Sequence, residues 1–256
     1  MSAAERDAAG PACRSARIRQ YPGMRAAADS TPPPAIPLNG AEILLDPLGA
    51  LVWPAEHLVA MSDLHLEKGS SFARRGQMLP PYDTEDTLAR AEQVIARWRP
   101  RIVIALGDSL HDRTGAERLQ PSAFARLRTI QASRTFIWIA GNHDPDPAPL
   151  LGGEWAREVT IGALTFRHEP SRTAQAGEVA GHLHPSARLV VRGRSIRRKC
   201  FATDERRMVL PALGAYAGGL NVRHPALSGL FAGAFQAHML GAARTYRMEA
   251  RACLSD

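Results

Sequence analysis

Residues 101–112 read RIVIALGDSLHD: an apolar, β-branched run from Ile102 to Leu106, then a glycine, an aspartate and, three residues on, a histidine. Such a run has the length of a strand buried on both faces, and its abrupt polar ending marks where that strand leaves the core. The flanks give it a context. Upstream, YDTEDTLARAEQVIARW (82–98) has acids in its first turn and Leu88, Ala91, Ile95 and Trp98 on one stripe; Asp83 or Thr84 would cap this helix and Pro100 stops it. Downstream, AFARLRTIQA (123–132) is a second amphipathic helix, and TFIWIAGNHD (135–144) is another apolar run with a polar ending. Before all of these, HLVAMSD (57–63) is a third such run, preceded by EILL and ALVW around DPLG, a hairpin. Strands alternating with helices describe a mainly parallel sheet with helices packed on it.

After Pro145 the texture changes to short strand-like runs broken by Gly and Pro, from EVTIGALTFRHEP (158–170) to ARTYRM (243–248). These predict a second, more antiparallel sheet lying against the first, a two-layered β core with helices outside. Residues 1–40, rich in Ala, Arg and Pro, are expected to form a disordered leader, with Met24 inside it as an alternative start. Residues 41–250 are expected to form one domain and 251–256 a short tail. A chain of 256 residues is long enough for one such α/β domain.

Hydrophobic residues make up 45% and charged residues 22%, with no stretch long enough to span a bilayer, so a membrane partner is not expected. Cys13, Cys200 and Cys253 form no paired motif, which argues against a disulfide framework and for a reducing compartment. With no apolar signal segment, a cytoplasmic location is expected. Net charge is +7, and Arg188–Arg207 supplies +6 of it through eight Lys/Arg against Asp204 and Glu205. That segment reads either as a solvated hairpin edge or as a phosphate-contacting face.

Three apolar strands end in SDLH (62–65), GDSLHD (107–112) and GNHD (141–144), and ligands gather at carboxyl ends of strands in such sheets. Adding His168 and the pair in GHLHP (181–185), the candidate donors are Asp63, His65, Asp108, Asn142, His168, His182 and His184. Each cluster alone reads as a cap or a turn. Together they offer imidazole, carboxylate and amide oxygen but no thiolate, a set that suits Mn, Fe or Zn and fits Ca or a structural zinc site poorly.

The order D-x-H, G-D, G-N-H-D, H, G-H-x-H resembles the calcineurin-like metallophosphoesterase superfamily. SDLHLEKGSSFARRG, LPPYDTEDTLAR, RHEP, GHLHP and VLPALGAYAGGL bring the chain closest to the ligase-associated metallophosphoesterases of the PdeM type, from about Ile43 to Met248. The resemblance implies a four-layer α/β/β/α sandwich, two mixed sheets flanked by helices. It implies two divalent ions, Mn²⁺ foremost, with Fe²⁺ or Zn²⁺ as alternatives. Asp63, His65 and His184 would hold one ion, Asn142, His168 and His182 the other, with Asp108 between them. His143 would be a catalytic histidine, and Asp144 would orient it or cap the next turn.

His111 falls where related protein phosphatases carry Asp and where SbcD-type DNA nucleases carry His, so it is assigned a supporting role beside the phosphate; an alternative is a bond orienting Asp108. Glu67 and Lys68 touch substrate or cap a helix. The function implied is a phosphodiesterase acting on nucleic acid, a single-stranded DNA endonuclease or end-processing enzyme in repair, associated with an ATP-dependent DNA ligase and a helicase. The alternative within the same chemistry is a nucleotide or cyclic-nucleotide phosphodiesterase. A non-catalytic binding scaffold would be expected to lack His143 or several donors, all of which are present.

Overall fold

The computed structural model describes residues 33–173 and 175–256; most of the expected leader lies outside them. The first sheet runs in chain order: β1 (Ile36–Leu38), β2 (Ala41–Leu45), β3 (Leu51–Trp53), β4 (Leu58–Met61), β5 (Ile102–Leu106), β6 (Thr135–Ile139) and β7 (Glu154–Ala156). β1 to β4 are antiparallel neighbours, and β4 to β7 are parallel. β1 lies inside the stretch expected to be leader. It is a sheet-edge strand containing Pro37, an amide-less residue that an edge position tolerates, so its short apolar pattern carried little strand signal.

Between these strands lie α1 (Lys68–Ala73), α2 (Asp83–Trp98), α3 (Gly115–Arg118) and α4 (Pro121–Gln131). Leu88, Ala91, Val94, Ile95 and Trp98 bury the inner stripe of α2 in one core with Leu127 and Ile130 of α4 and one face of the first sheet. Each large side chain buried there contributes roughly 1.5–3 kcal/mol. Buried Asp46, in the turn after β2, fixes the far end of α2 by accepting from Trp98 Nε1 and Arg97 Nη1, both at 2.6 Å. Neither expected cap residue caps α2: Asp83 accepts instead from the Gly69 amide at 3.1 Å, and Thr84 Oγ1 from that of Glu67 at 2.9 Å. The start of α2 is thereby tied to α1, which places α1 beside the ends of β4 and β5.

The second sheet comprises β8 (Glu158–Ile161), β9 (Leu164–Arg167), β10 (Glu178–Ala180), β11 (Pro185–Val191), β12 (Arg194–Thr203), β13 (Met208–Val209), β14 (Leu220–Asn221), β15 (Gln236–Leu240) and β16 (Thr245–Glu249). It is mixed: β9, β10 and β13 are parallel, while the β8–β9, β11–β12 and β15–β16 hairpins are antiparallel. The two sheets face each other across a core that includes Ile43, Leu58, Ile104, Ile139, Phe166, Val179 and Phe201. The outer face of the second sheet is covered by the short α5 (Pro225–Ser228) and by Phe231 and Phe235. The expected tail packs down, with buried Cys253 and the Leu254 amide donating to the Arg188 carbonyl. Among the described residues no helix is long and apolar enough to cross a membrane.

Candidate active site

Parallel pairing of β4, β5 and β6 brings Asp63, Asp108 and Asn142 to one edge of the first sheet, and parallel β9 and β10 bring His168 and His182 to the facing edge of the second. His184 immediately precedes β11. Donor atoms of Asp63, His65 and His184 lie within 4.8 Å of one another, as do those of Asp108, His168 and His182. A third such group, His65, His111 and His143, borders the first. Asn142 lines a cleft with His168.

The backbone is bent to do this. Asp63, His65, Asp108, His182 and His184 all have φ between 45° and 68°, a left-handed conformation that L side chains rarely adopt. Five such residues at one centre is strain held in place by surrounding structure, a pattern that marks functional sites. Two glycines permit the approach of neighbouring strand ends. A Cβ on Gly181 would overlap Ser62 Oγ and meet Asp63 Oδ2 at 2.6 Å, and one on Gly141 would overlap the Asp108 amide.

Asp63 is fully buried and accepts from Ser62 Oγ at 2.5 Å and from the His182 amide, with His184 Nε2 at 3.1 Å. Burial opposes its charge, but His184, His168 and Ser62 together hold its carboxyl below the usual range. Asp108 behaves alike: burial opposes ionisation, yet His168 and the His143 amide (2.8 Å) hold its carboxyl well below the usual range. Burial, resisted only in part by Asp63, pushes His65 down to about 3, so its ring is neutral, and its Nε2 faces His184 Nε2 at 3.3 Å.

His168 is the most telling of these. Its Nδ1 lies 3.1 Å from the Leu106 carbonyl, and its buried Nε2 sits 3.4 Å from Asp108 Oδ2, outside hydrogen-bond geometry and with no other partner. Burial would lower its pKa, but Asp108 and Asp63 push it up to about 9. A divalent cation held between this imidazole and the carboxylate would take the place of a proton on the ring. Unpaired ring nitrogens, ionised buried carboxylates and no thiolate form a donor set that fits divalent transition-metal ions.

His143 is partly exposed, with Nδ1 2.6 Å from the His111 carbonyl and Nε2 3.9 Å from Asp108 Oδ2. A ring nitrogen beside a carbonyl must carry the hydrogen, which leaves Nε2 facing the donors. Asp144 does not touch this ring. Its carboxylate accepts from the amides of Ser109 (2.8 Å), Leu110 (3.0 Å) and Gly141 (3.1 Å), bracing the loop after β5 against the loop after β6. Burial, with Asp108 close by, pushes Asp144 up to about 6. The partner that orients His143 is therefore a backbone carbonyl, one that the local sequence does not reveal.

His111 contacts His65 through Nδ1 at 3.4 Å and packs on Phe72, and burial together with His143 brings it down to about 4. Glu67 is a strut, accepting from Thr84 Oγ1 (3.0 Å) and Ser70 Oγ (2.6 Å). Lys68 donates to the Tyr216 carbonyl, Arg90 to that of Leu213, and Lys199 to those of Ala212 and Gly214. Three cations from three elements thus clamp the loop whose Gly214 amide donates to the Asp63 carbonyl. The sequence offered Lys199 only as one charge in a basic run; the signal of a clamp is absent until the loop is placed. Ser62, adjacent to Asp63 in MSDLH, had a visible position but no visible role.

Two facing mixed sheets with carboxylates and imidazoles converging from both define a metal-dependent phosphoester hydrolase. The model for calcineurin-like phosphoesterases matches residues 57–194, and the chain belongs to that family, whose members use divalent metal ions. Among solved structures, the nuclease MPE of Pseudomonas putida is 30% identical with a TM-score of 0.63, covering 83% of this chain and 98% of that one. A conserved uncharacterized protein of Streptococcus pneumoniae, described as a predicted phosphoesterase, is 11% identical with a TM-score of 0.29, covering 75% of this chain and 96% of that one. No curated protein matches the chain.

Proposed function

We propose that this protein is a phosphodiesterase that cleaves nucleic acid, with single-stranded DNA as substrate, in DNA repair alongside an ATP-dependent ligase and a helicase. The observation that carries the substrate class is an open, polar cleft of about 420 Å³ onto which His111 and His143 face, flanked by Arg74, Arg75 and Arg113. An open cleft lets a continuous strand pass, whereas a nucleotide pocket encloses most of its ligand. The resemblance to the P. putida nuclease supports the same reading. The ligase and helicase setting rests on the motif resemblance alone.

In this reading Asp63, His65 and His184 would hold one divalent ion and Asn142, His168 and His182 a second, with Asp108 available to both, and Mn²⁺ would be the preferred ion. When bound, such ions supply Lewis acidity that offsets charge on a phosphoryl group and makes water nucleophilic near neutral pH. The chain's own contribution is positioning and proton transfer. As water oxygen bonds to phosphorus and the ester P–O bond breaks, the leaving oxygen takes the proton carried at His143 Nε2, the attacking water sheds one proton to solvent, and His143 regains its proton from solvent. The Nδ1–H bond to the His111 carbonyl keeps that nitrogen facing the reaction. His111 steadies the phosphoryl oxygens, and Asp144 serves by bracing the two loops.

The test is cleavage of a labelled single-stranded oligonucleotide in Mn²⁺ by wild type and His143→Ala. Wild-type cutting that falls by about 10²–10⁴ in the variant supports the assignment. Hydrolysis of bis(p-nitrophenyl) phosphate without oligonucleotide cleavage moves the substrate to small phosphodiesters. Equal cutting by both proteins overturns the role of His143.

A further inference from the structure

The site opens to solvent through two clefts that differ in charge. One is lined by Asn142 and His168, with Arg157 and Arg167 set against Asp146, Glu158 and Glu169; Arg167 is already bound to Glu158 at 2.5 Å. The other is lined by His111 and His143 together with Arg74, Arg75 and Arg113, and its one carboxylate, Asp112, is held bidentately by Arg118 at 2.7 and 3.0 Å. Of these two clefts, the second is the one that offers a polyanion net positive charge.

The three arginines are not engaged alike. Arg113 pairs with Asp146 on the open surface, where such a pair is weak and exchangeable. Arg74 makes one bond, to Thr114 Oγ1 at 3.0 Å. Arg75 makes no side-chain hydrogen bond or ion pair among the described residues, although it lies just past the end of α1, after its capping residue Arg74, within this cleft. Its backbone is held, since its amide donates to the Phe72 carbonyl at 2.9 Å. An exposed guanidinium with a fixed backbone and no protein partner, next to the catalytic imidazoles, is a preformed anion contact: guanidinium matches phosphate geometry and loses little solvation on pairing.

We propose that Arg75, assisted by Arg74, binds the phosphate adjacent to the scissile one, so that the nucleic-acid strand runs out over the end of α1. This rests on the nucleic-acid reading above and adds to it a subsite and a direction of the strand. A substrate with a single phosphate cannot use such a subsite. Loss of Arg75 therefore acts mainly on KM for a polymer, as the removal of a binding contact does.

The experiment compares wild type, Arg75→Ala, Arg75→Lys and, as a charge-matched control, Arg251→Ala, an exposed arginine that lines neither cleft. Each is assayed on a single-stranded oligonucleotide and on bis(p-nitrophenyl) phosphate over a range of salt, with metal content measured in parallel. In Arg75→Ala the ratio of kcat/KM for oligonucleotide to that for the small diester is expected to fall on the order of tenfold, through KM. The salt slope should shrink by about 0.7 for one lost phosphate contact. Arg75→Lys should recover part of both, and Arg251→Ala should match wild type. An unchanged ratio in Arg75→Ala, or an equal loss in Arg251→Ala, overturns the subsite while leaving the nuclease reading intact. Failure of wild type to cut any oligonucleotide overturns both.

Discussion

At the scale of single residues, Gly181 decides how closely the two sheets can meet. The chain there passes so near Ser62 and Asp63 that a methyl group has nowhere to go, and both contacts are buried. Gly181→Ala is expected to destabilise the fold by about 1–3 kcal/mol, the range for overpacking a dense interior. It should also weaken metal retention, because the Asp63 carboxylate it would press on is one of the proposed donors. Thermal melting and metal analysis of the variant check both; an unshifted midpoint would mean the approach is looser than described. The candidate donors could be picked out in the sequence because most of them stand where an apolar run ends abruptly. Their left-handed backbone could not, since it goes with contacts distant in the chain, such as the bonds of the Asp63 and His65 amides to the carbonyls of Gly107 and Asp108. Nor could the role of Asp144, whose carboxylate serves amides 34 and 35 residues back in the chain.

At the scale of elements, the basic run from Arg188 to Arg207 turns out to be several different things. Arg207 is buried and pairs with Glu178 while donating to the carbonyls of Leu230 and Ser171, so it is part of the core. Lys199 clamps the loop at residues 212–214. Beyond these, β11 and β12 continue as a two-stranded ribbon in which Arg188 lies directly opposite Arg197. Charge counting along the chain cannot separate these roles, because pairing register decides which arginines face each other. Like charges directly opposite destabilise a strand pair; Ser195 Oγ, 2.9 Å from Arg188 Nε, offers Arg188 a neutral bond, and the exposed pair of Arg197 with Asp256 at 3.2 Å offsets the repulsion in part. Arg188→Thr, a residue suited to strands, should therefore raise stability by about 0.2–1 kcal/mol, more at low salt than at high. A urea titration at two ionic strengths reads this. A destabilised variant would show that the arginine stem contributes more by packing than its charge costs.

At the scale of the whole molecule, the candidate donors divide between the sheets: Asp63, His65, Asp108 and Asn142 follow strands of the first, while His168, His182 and His184 follow or precede strands of the second. Each proposed ion draws ligands from both, so metal occupancy joins two layers that otherwise meet through their apolar faces. The layered architecture was legible because the strand–helix alternation and the later run of short strands are properties of local pattern. The way the layers are tied together was legible only as a shared chemistry of scattered residues. Binding to the folded state alone stabilises it by about 2.7 kcal/mol when free metal is a hundred times its dissociation constant. For a domain of this size that corresponds to a rise of roughly 5–10 °C in Tm. Chelation followed by dialysis should remove this increment, and Mn²⁺ should restore it in wild type. In Asp108→Asn, which weakens the ligand shared between both sites, restoration should be much smaller. A midpoint that ignores both chelation and Mn²⁺ would mean that the sheets hold their spacing without the ions, and that the bent strand ends are stabilised by protein contacts alone.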